Sequence, residues 1–283
     1  MENIILVDSS YTSFYRFFAT LRWFSFSNKD EYKEHKGDPS YDWSKNKIFI
    51  EKYKKLYLES IIKLVSKKIY NKSKVIFCLD TPKADVWRSK LMDDYKGDRV
   101  DLSKKNDFKP TFKITYDELI PNLVKNNPDK IYSLRIDELE ADDVIALTVK
   151  YIRKKKLDYD VYLISGDQDF LQLGYDRLHF LDYKKNKKTF QLTEEEARKA
   201  LLNKIICGDN SDNIKCIFPK DKKIVSNKLR KAIKESEEEL EKFLKDNKEA
   251  SKKFKLNKKL IDFNYIPKKY NSKVNKVIKK ILL

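Results

Sequence analysis

Apolar residues fall along this chain in two alternating patterns. Short unbroken runs, among them Ile4-Ile5-Leu6-Val7, Val75-Ile76-Phe77-Cys78-Leu79 and Val161-Tyr162-Leu163-Ile164, are rich in β-branched residues and too short for globular helices. They predict strands over residues 3–8, 74–80 and 160–165, with two more over 131–135 and 178–182. The stretches between carry apolar positions at helical spacing and predict helices over residues 10–23, 48–70, 116–126 and 138–154. Strand and helix alternate, the pattern of an α/β fold whose parallel sheet is covered by helices on both faces. Residues 25–47 read as a loop. Residues 81–115, charged and aromatic with little periodicity, read as a mobile excursion from the sheet edge.

Past Tyr183 the strand signals fade. Thr193, followed by Glu194, Glu195 and Glu196, is an N-cap with acids in the first turn, and starts a helix running to Ile206. Helical patterns return at 222–234, 236–249 and 272–282. The chain is therefore expected to divide into a core over residues 1–185 and a helical region over 186–283.

The placement of acids turns this architecture toward chemistry. Asp8 closes the first run and Asp80 the second; Leu139-Glu140-Ala141-Asp142-Asp143-Val144 follows the third, and Ser165-Gly166-Asp167-Gln168-Asp169 the fourth. Parallel strands bring their carboxyl ends to one edge, where open α/β sheets bind ligands. Seven carboxylates there repel one another unless cations separate them. An oxygen-only ligand set points to Mg²⁺ or Mn²⁺ rather than zinc. Glu140 and Asp143, three apart on a helix, share a face, with Asp142 alongside; one acid alone would only complement the helix dipole. Asp167 and Asp169, two apart on leaving a strand, can face one side, although Gly-Asp-x-Asp by itself is a common turn. Asp8, Ser10 and Thr12 also fit an adhesion-type metal site, or a phosphatase lacking its second acid, but neither explains the later acids. Cys207 to Ile214 is a turn after a helix ending at Gly208, and its Asp209 and Asp212 can join a metal site.

The charge balance adds a partner class. The 283 residues carry a formal net charge of +18 and a pI near 9.4, with roughly +12 of it contributed from Asn203 onward. A basic protein with a locally acidic pocket suits a polyanion held by its surroundings and cut at a metal centre. Cys78, Cys207 and Cys216 have no paired spacing and read as reduced thiols. Neither His35 nor His179 has a partner nearby in sequence, which argues against a histidine base. The first strand starts without a basic-then-apolar leader, and no apolar span is long enough for a membrane, so a soluble cytoplasmic protein is expected.

Four segments, Tyr95-Lys96-Gly97-Asp98-Arg99, Glu140 to Val144, Ser165 to Asp169 and Gly208 to Ile214, match in order and spacing the 5′-nuclease superfamily. The chain resembles its flap endonucleases, 5′-exonuclease domains and phage relatives. In Asp80 to Arg99 and Leu260 to Pro267 it is similar in particular to the ribonuclease H of T-even-like phages. The resemblance implies a PIN-like core, a helical arch over 81–115 and a helix–turn–helix variant about 204–232 that grips duplex. It implies nine metal-site carboxylates: Asp8, Asp80, Glu140, Asp142, Asp143, Asp167, Asp169, Asp209 and Asp212. The first five are expected at a tight ion and the last four at a second. Lys96 and Arg99 are expected on the scissile phosphate, with Asp143 the catalytic carboxylate to test. Trp87, Arg88 and Tyr95 are expected on nucleic acid, and Lys215, Lys220, Lys222, Lys223 and Lys228 on duplex phosphates. One departure is Lys215-Cys216-Ile217-Phe218-Pro219-Lys220 in place of a Gly-rich hairpin, which puts the family's monovalent-ion site in doubt.

The expected activity is a structure-specific 5′-3′ exonuclease or flap endonuclease with ribonuclease H-type action, using two Mg²⁺ ions. It would act as a monomer on DNA and RNA–DNA duplexes with 5′ ends or flaps, beside a single-strand-binding protein or sliding clamp. No N-terminal clamp-docking segment is visible. The rivals are a PIN-type single-strand endoribonuclease and a non-catalytic DNA-binding replication factor.

Overall fold

The computed structural model describes residues 2–82, 85–97, 106–185, 189–219 and 225–282. Five parallel strands, β1 (Glu2–Asp8), β2 (Ser73–Cys78), β3 (Ile131–Leu134), β4 (Tyr159–Ile164) and β5 (Leu178–Leu181), form one sheet ordered β3-β2-β1-β4-β5. Asp8 pairs with Cys78 on one side, and Val7 with Ile164 on the other, so three strands end level. The chain builds outward from β1 to one edge and then crosses to the other. This makes the end of β1 the switch point, where a crevice opens.

Alternation along the strands decides which helices they meet. Ile5, Val7, Val75 and Phe77 face α1 (Ser9–Ser27) and α3 (Lys47–Val65), through Phe17, Phe24, Tyr53 and Tyr57. Between these helices residues 25–47 are not simply a loop. They hold α2 (Lys29–His35) and a 3-10 turn, Trp43–Lys45, and the fully buried Trp43 is wedged against Phe24 and Phe49. After α3 come α4 (Lys67–Asn71), then α5 (Lys109–Ile114) and α6 (Ile120–Asn126), joined by a π turn at Thr115–Leu119.

Ile4, Leu6, Ile76 and Val161 point to the opposite face, covered by α7 (Ala141–Lys154). Beyond the sheet lie α8 (Glu194–Cys207), α9 (Asn227–Glu235), α10 (Glu237–Asp246), α11 (Lys248–Ile261) and α12 (Lys268–Leu282). Ile206, Phe218, Ile233, Leu240 and Phe243 give this region a core of its own. The last helix is the exception. Tyr270, Val274, Ile278 and Ile281 pack with α7 and the sheet, so α12 belongs to the first core and a boundary at residue 185 does not separate two packing units. No helix among the described residues is long and apolar enough to cross a membrane.

Candidate active site

Asp8 ends β1 and caps α1. Its Oδ1 accepts from the Tyr11 amide at 3.0 Å, and its Oδ2 from the Ser165 hydroxyl at 2.8 Å, just past β4. Burial, with Asp80 beside it, pushes its carboxyl up to about 7. Asp80, two residues past β2, accepts the Ala141 amide on Oδ1 at 2.8 Å and the Ser10 hydroxyl on Oδ2. Gly166 lets the β4 exit pass close to Tyr11: a Cβ there would sit 2.7 Å from the ring.

The start of α7 makes the other wall. Glu140 is its N-cap, and Asp143, in the third helical position, turns back to accept the Glu140 amide on Oδ2 at 3.2 Å. Asp142, between them, faces the opening. Burial first, then Asp167 and Asp8, hold the Asp142 carboxyl well above the usual range. Asp8, Asp80, Glu140, Asp142 and Asp167 thus line one cleft of about 300 Å³, together with Lys96. The Lys96 ammonium donates to Glu140 Oε1 and lies 3.9 Å from Asp212. Burial pushes Glu140 up, but Lys96 and Arg88 outweigh it and hold the carboxyl below its ordinary value.

A second acidic group adjoins this cleft. Carboxylate oxygens of Asp169, Asp209 and Asp212 lie within 4.8 Å of one another. The Lys204 Nζ, near the end of α8, sits 2.7 Å from Asp169 and 2.5 Å from Asp209. Burial and Asp167 push Asp169 up to about 6. Burial also pushes Asp209 up, yet Lys204 and Ser211 outweigh it and leave its carboxyl low. The turn carrying these acids closes through paired Asp209 and Ile214 backbones, 2.9 and 2.7 Å. It needs glycine before it: Gly208 has φ +71°, and a Cβ would come within 2.3 Å of Ile214 O.

Several side chains stand elsewhere than the sequence suggests. Asp143 is fully buried and turned away from the cleft, held by Arg88 through both Nη atoms and by Trp87 Nε1 at 2.9 Å. Trp87 and Arg88 are therefore floor, not nucleic-acid surface. Arg88 also bonds Glu140 at 2.9 Å and Leu260 O at 2.7 Å. Tyr95 is 3% exposed, its hydroxyl 3.0 Å from Glu140 and 3.1 Å from Asp212, so its ring has no open face for a base. Asp167 lines the first cleft rather than the second group. In the excursion, Phe108 packs on Phe14, Phe17 and Phe112. Lys215 contacts Asn213, and Lys228 is exposed at the start of α9. Arg99, Lys220, Lys222 and Lys223, and the middle of the expected arch, lie outside the described residues.

Sequence reasoning missed the parts played by Ser10, Ser165 and Lys204. The two serines lie inside the motifs and can be found there as short hydroxyl donors beside strand-end acids. Lys204 has no local signal, because its partners come from two distant turns.

Residues 3–202 match the family of 5′-3′ exonuclease N-terminal, resolvase-like domains. The Ribonuclease H of Enterobacteria phage T4 is 28% identical over 241 residues, spanning 79% of this chain and 75% of that protein. Two phage T5 crystal structures share the fold. One, co-crystallised with metal ions, aligns over 100% of both chains with 19% identity and a TM-score of 0.59. The other, a flap endonuclease pseudo-enzyme–product complex with DNA and metal ions, aligns over 99% of both, with 18% identity and a TM-score of 0.61.

Proposed function

The chain belongs to the 5′-3′ exonuclease family, and from that premise we propose that it is a divalent-metal-dependent nuclease of DNA and RNA–DNA duplexes. It hydrolyses phosphodiesters at 5′ ends and flaps, and so removes primers and flaps in replication. The observation that carries this reading is the cleft itself. Four segments far apart in sequence deliver Asp8, Asp80, Glu140, Asp142 and Asp167 to one opening of about 300 Å³. The names of the relatives, a ribonuclease H and a flap endonuclease, support the two substrate classes.

The donor set is all oxygen and fits a hard divalent cation such as Mg²⁺, with Mn²⁺ as a substitute. Burial and mutual repulsion raise the Asp8 and Asp142 carboxyls, which marks where positive charge belongs. The five cleft carboxylates would hold one ion, and Asp169, Asp209 and Asp212 a second. Bound there, divalent ions would supply an activated water and offset the charge that builds up on the phosphate.

The chain's own groups do the rest. Lys96 carries an ammonium into the cleft, where it can leave Glu140 for a phosphate oxygen as negative charge grows. Tyr95, bonded to both Glu140 and Asp212, ties the two acidic groups together. Arg88 and Trp87 clamp Asp143, and Asp143 holds the Glu140 backbone, which makes all three positioning residues. Arg99, and Lys215, Lys220, Lys222, Lys223 and Lys228 with the helices around them, are proposed as phosphate contacts along the substrate. A non-catalytic binding factor has no use for acids crowded at this electrostatic cost. Cleavage of a 5′-labelled flap in Mg²⁺, abolished in EDTA and in Asp8→Asn, is the test; turnover that survives both removes the reading.

A further inference from the structure

Arg16 is a buried cation without an anion. The residue is 8% exposed, it makes no hydrogen bond or ion pair among the described residues, and its Nε is buried without a partner. Tyrosines surround it: the guanidinium carbon lies 5.6 Å from the Tyr15 ring centre, with Tyr183 and Tyr53 close enough to act on it. Burial pulls its pKa below the usual arginine value. A protein keeps a guanidinium in such a place at a cost, unless something anionic meets it.

Arg16 opens on a cavity of about 420 Å³ between α1, α3 and the turn after β5. Ser60 and Lys63 line it from α3, and no ion pair engages Lys63 among the described residues. Glu59 is the one carboxylate in the lining, and it is exposed. One wall is aromatic, with Tyr15 and Tyr183 stacked at 4.3 Å and 8°. Tyr183 lies 5.9 Å from the ring of Tyr11, which lines the catalytic cleft. The linings of the two openings therefore meet at the Tyr11–Tyr183 ring contact.

We propose that this cavity is a second phosphate site, which takes a phosphodiester of the bound strand near the one being cut. Arg16 and Lys63 meet its oxygens, and the Tyr15–Tyr183 wall lies along the nucleoside. The inference rests on the nuclease reading, because a strand running out of the cleft is what brings a further phosphate here.

Duplex binding in EDTA across a salt series, with steady-state cleavage in Mg²⁺, tests it on Arg16→Met and Arg16→Lys. Arg16→Met is expected to bind about tenfold more weakly and to lose about one unit of salt slope. Its KM should rise with kcat unchanged, and Arg16→Lys should recover most of the loss. Its melting temperature should equal or exceed that of the wild type, since a buried unpaired charge is gone. Should Arg16→Met melt early, the exposed Lys63→Met gives the same binding readout without touching the core. A melting shift with thymidine 5′-monophosphate that is lost in Arg16→Met, with duplex affinity unchanged, would assign the site to a free nucleotide instead of the strand. Unchanged duplex binding, salt slope and monophosphate response in both Met variants overturn the site, even where the wild type cleaves. A wild type that binds through Arg16 but never cleaves overturns the nuclease reading instead.

Discussion

Arg88 grips Asp143 with both Nη atoms, Nη1 to Oδ2 at 2.9 Å and Nη2 to Oδ1 at 2.8 Å, beneath the floor of the acidic cleft. The side chains are 4% and 0% exposed, so removing one partner strands a buried charge. Arg88→Met is expected to lower stability by about 3–5 kcal/mol, read by urea denaturation. Cleavage should fall with it, because the Glu140 cap loses its support. A loss below about 1 kcal/mol would show that the pair does not brace the floor.

Asp8→Asn should behave in the opposite way. Asp8 gains no cation among the described residues and is pushed up by burial and Asp80. Substitution is expected to reduce Mg²⁺-dependent cleavage on the order of 100-fold or more. The melting temperature in EDTA should hold or rise. Loss of fold together with activity would make Asp8 a structural residue instead.

The metal-free protein should weaken as pH rises. Asp8 is raised from 3.8 to about 7, and Asp169 from 3.8 to about 6, so the folded state holds protons that the unfolded chain releases. Their stabilising contribution is complete below the unfolded value and is lost as pH climbs through about 6 to 7. In EDTA the melting temperature is expected to fall between about pH 5 and pH 8. Mg²⁺ should restore it, more at the upper end, because the ion binds deprotonated ligands. A rising curve in EDTA would contradict the protonation described.

Lys204 occupies the second acidic group as an internal cation, ion-paired with both Asp169 and Asp209. Lys204→Met should destabilise the metal-free protein and tighten Mn²⁺ binding there by about tenfold, measured by calorimetry. Weaker Mn²⁺ binding would mean that Lys204 helps shape the site instead of competing for it.

The sheet was legible because buried parallel strands announce themselves as short apolar runs, and Asp8, Asp80, Asp142 and Asp167 could be placed from the ends of those runs. Asp143 could not. Its spacing from Glu140 puts both on one face, but whether it points out or folds back into a capping box depends on Arg88, 55 residues away. The resemblance puts Trp87 and Arg88 on nucleic acid; only tertiary packing reveals the buried acids they serve. Trp43 turned an expected loop into structure by filling an aromatic gap, and α12 returned to the sheet because its stripe at Tyr270, Val274 and Ile278 matches α7. Neither follows from local periodicity.

The most direct measurement follows 5′-labelled flap, nicked and RNA-primed duplexes side by side, first with Mg²⁺ and then with EDTA, for wild type and Asp8→Asn. The expected result is release of short 5′ products by the wild type in Mg²⁺ alone, with duplex still bound in EDTA. Equal cleavage by Asp8→Asn, or by the wild type in EDTA, would contradict a metal-loaded carboxylate cleft as the seat of activity.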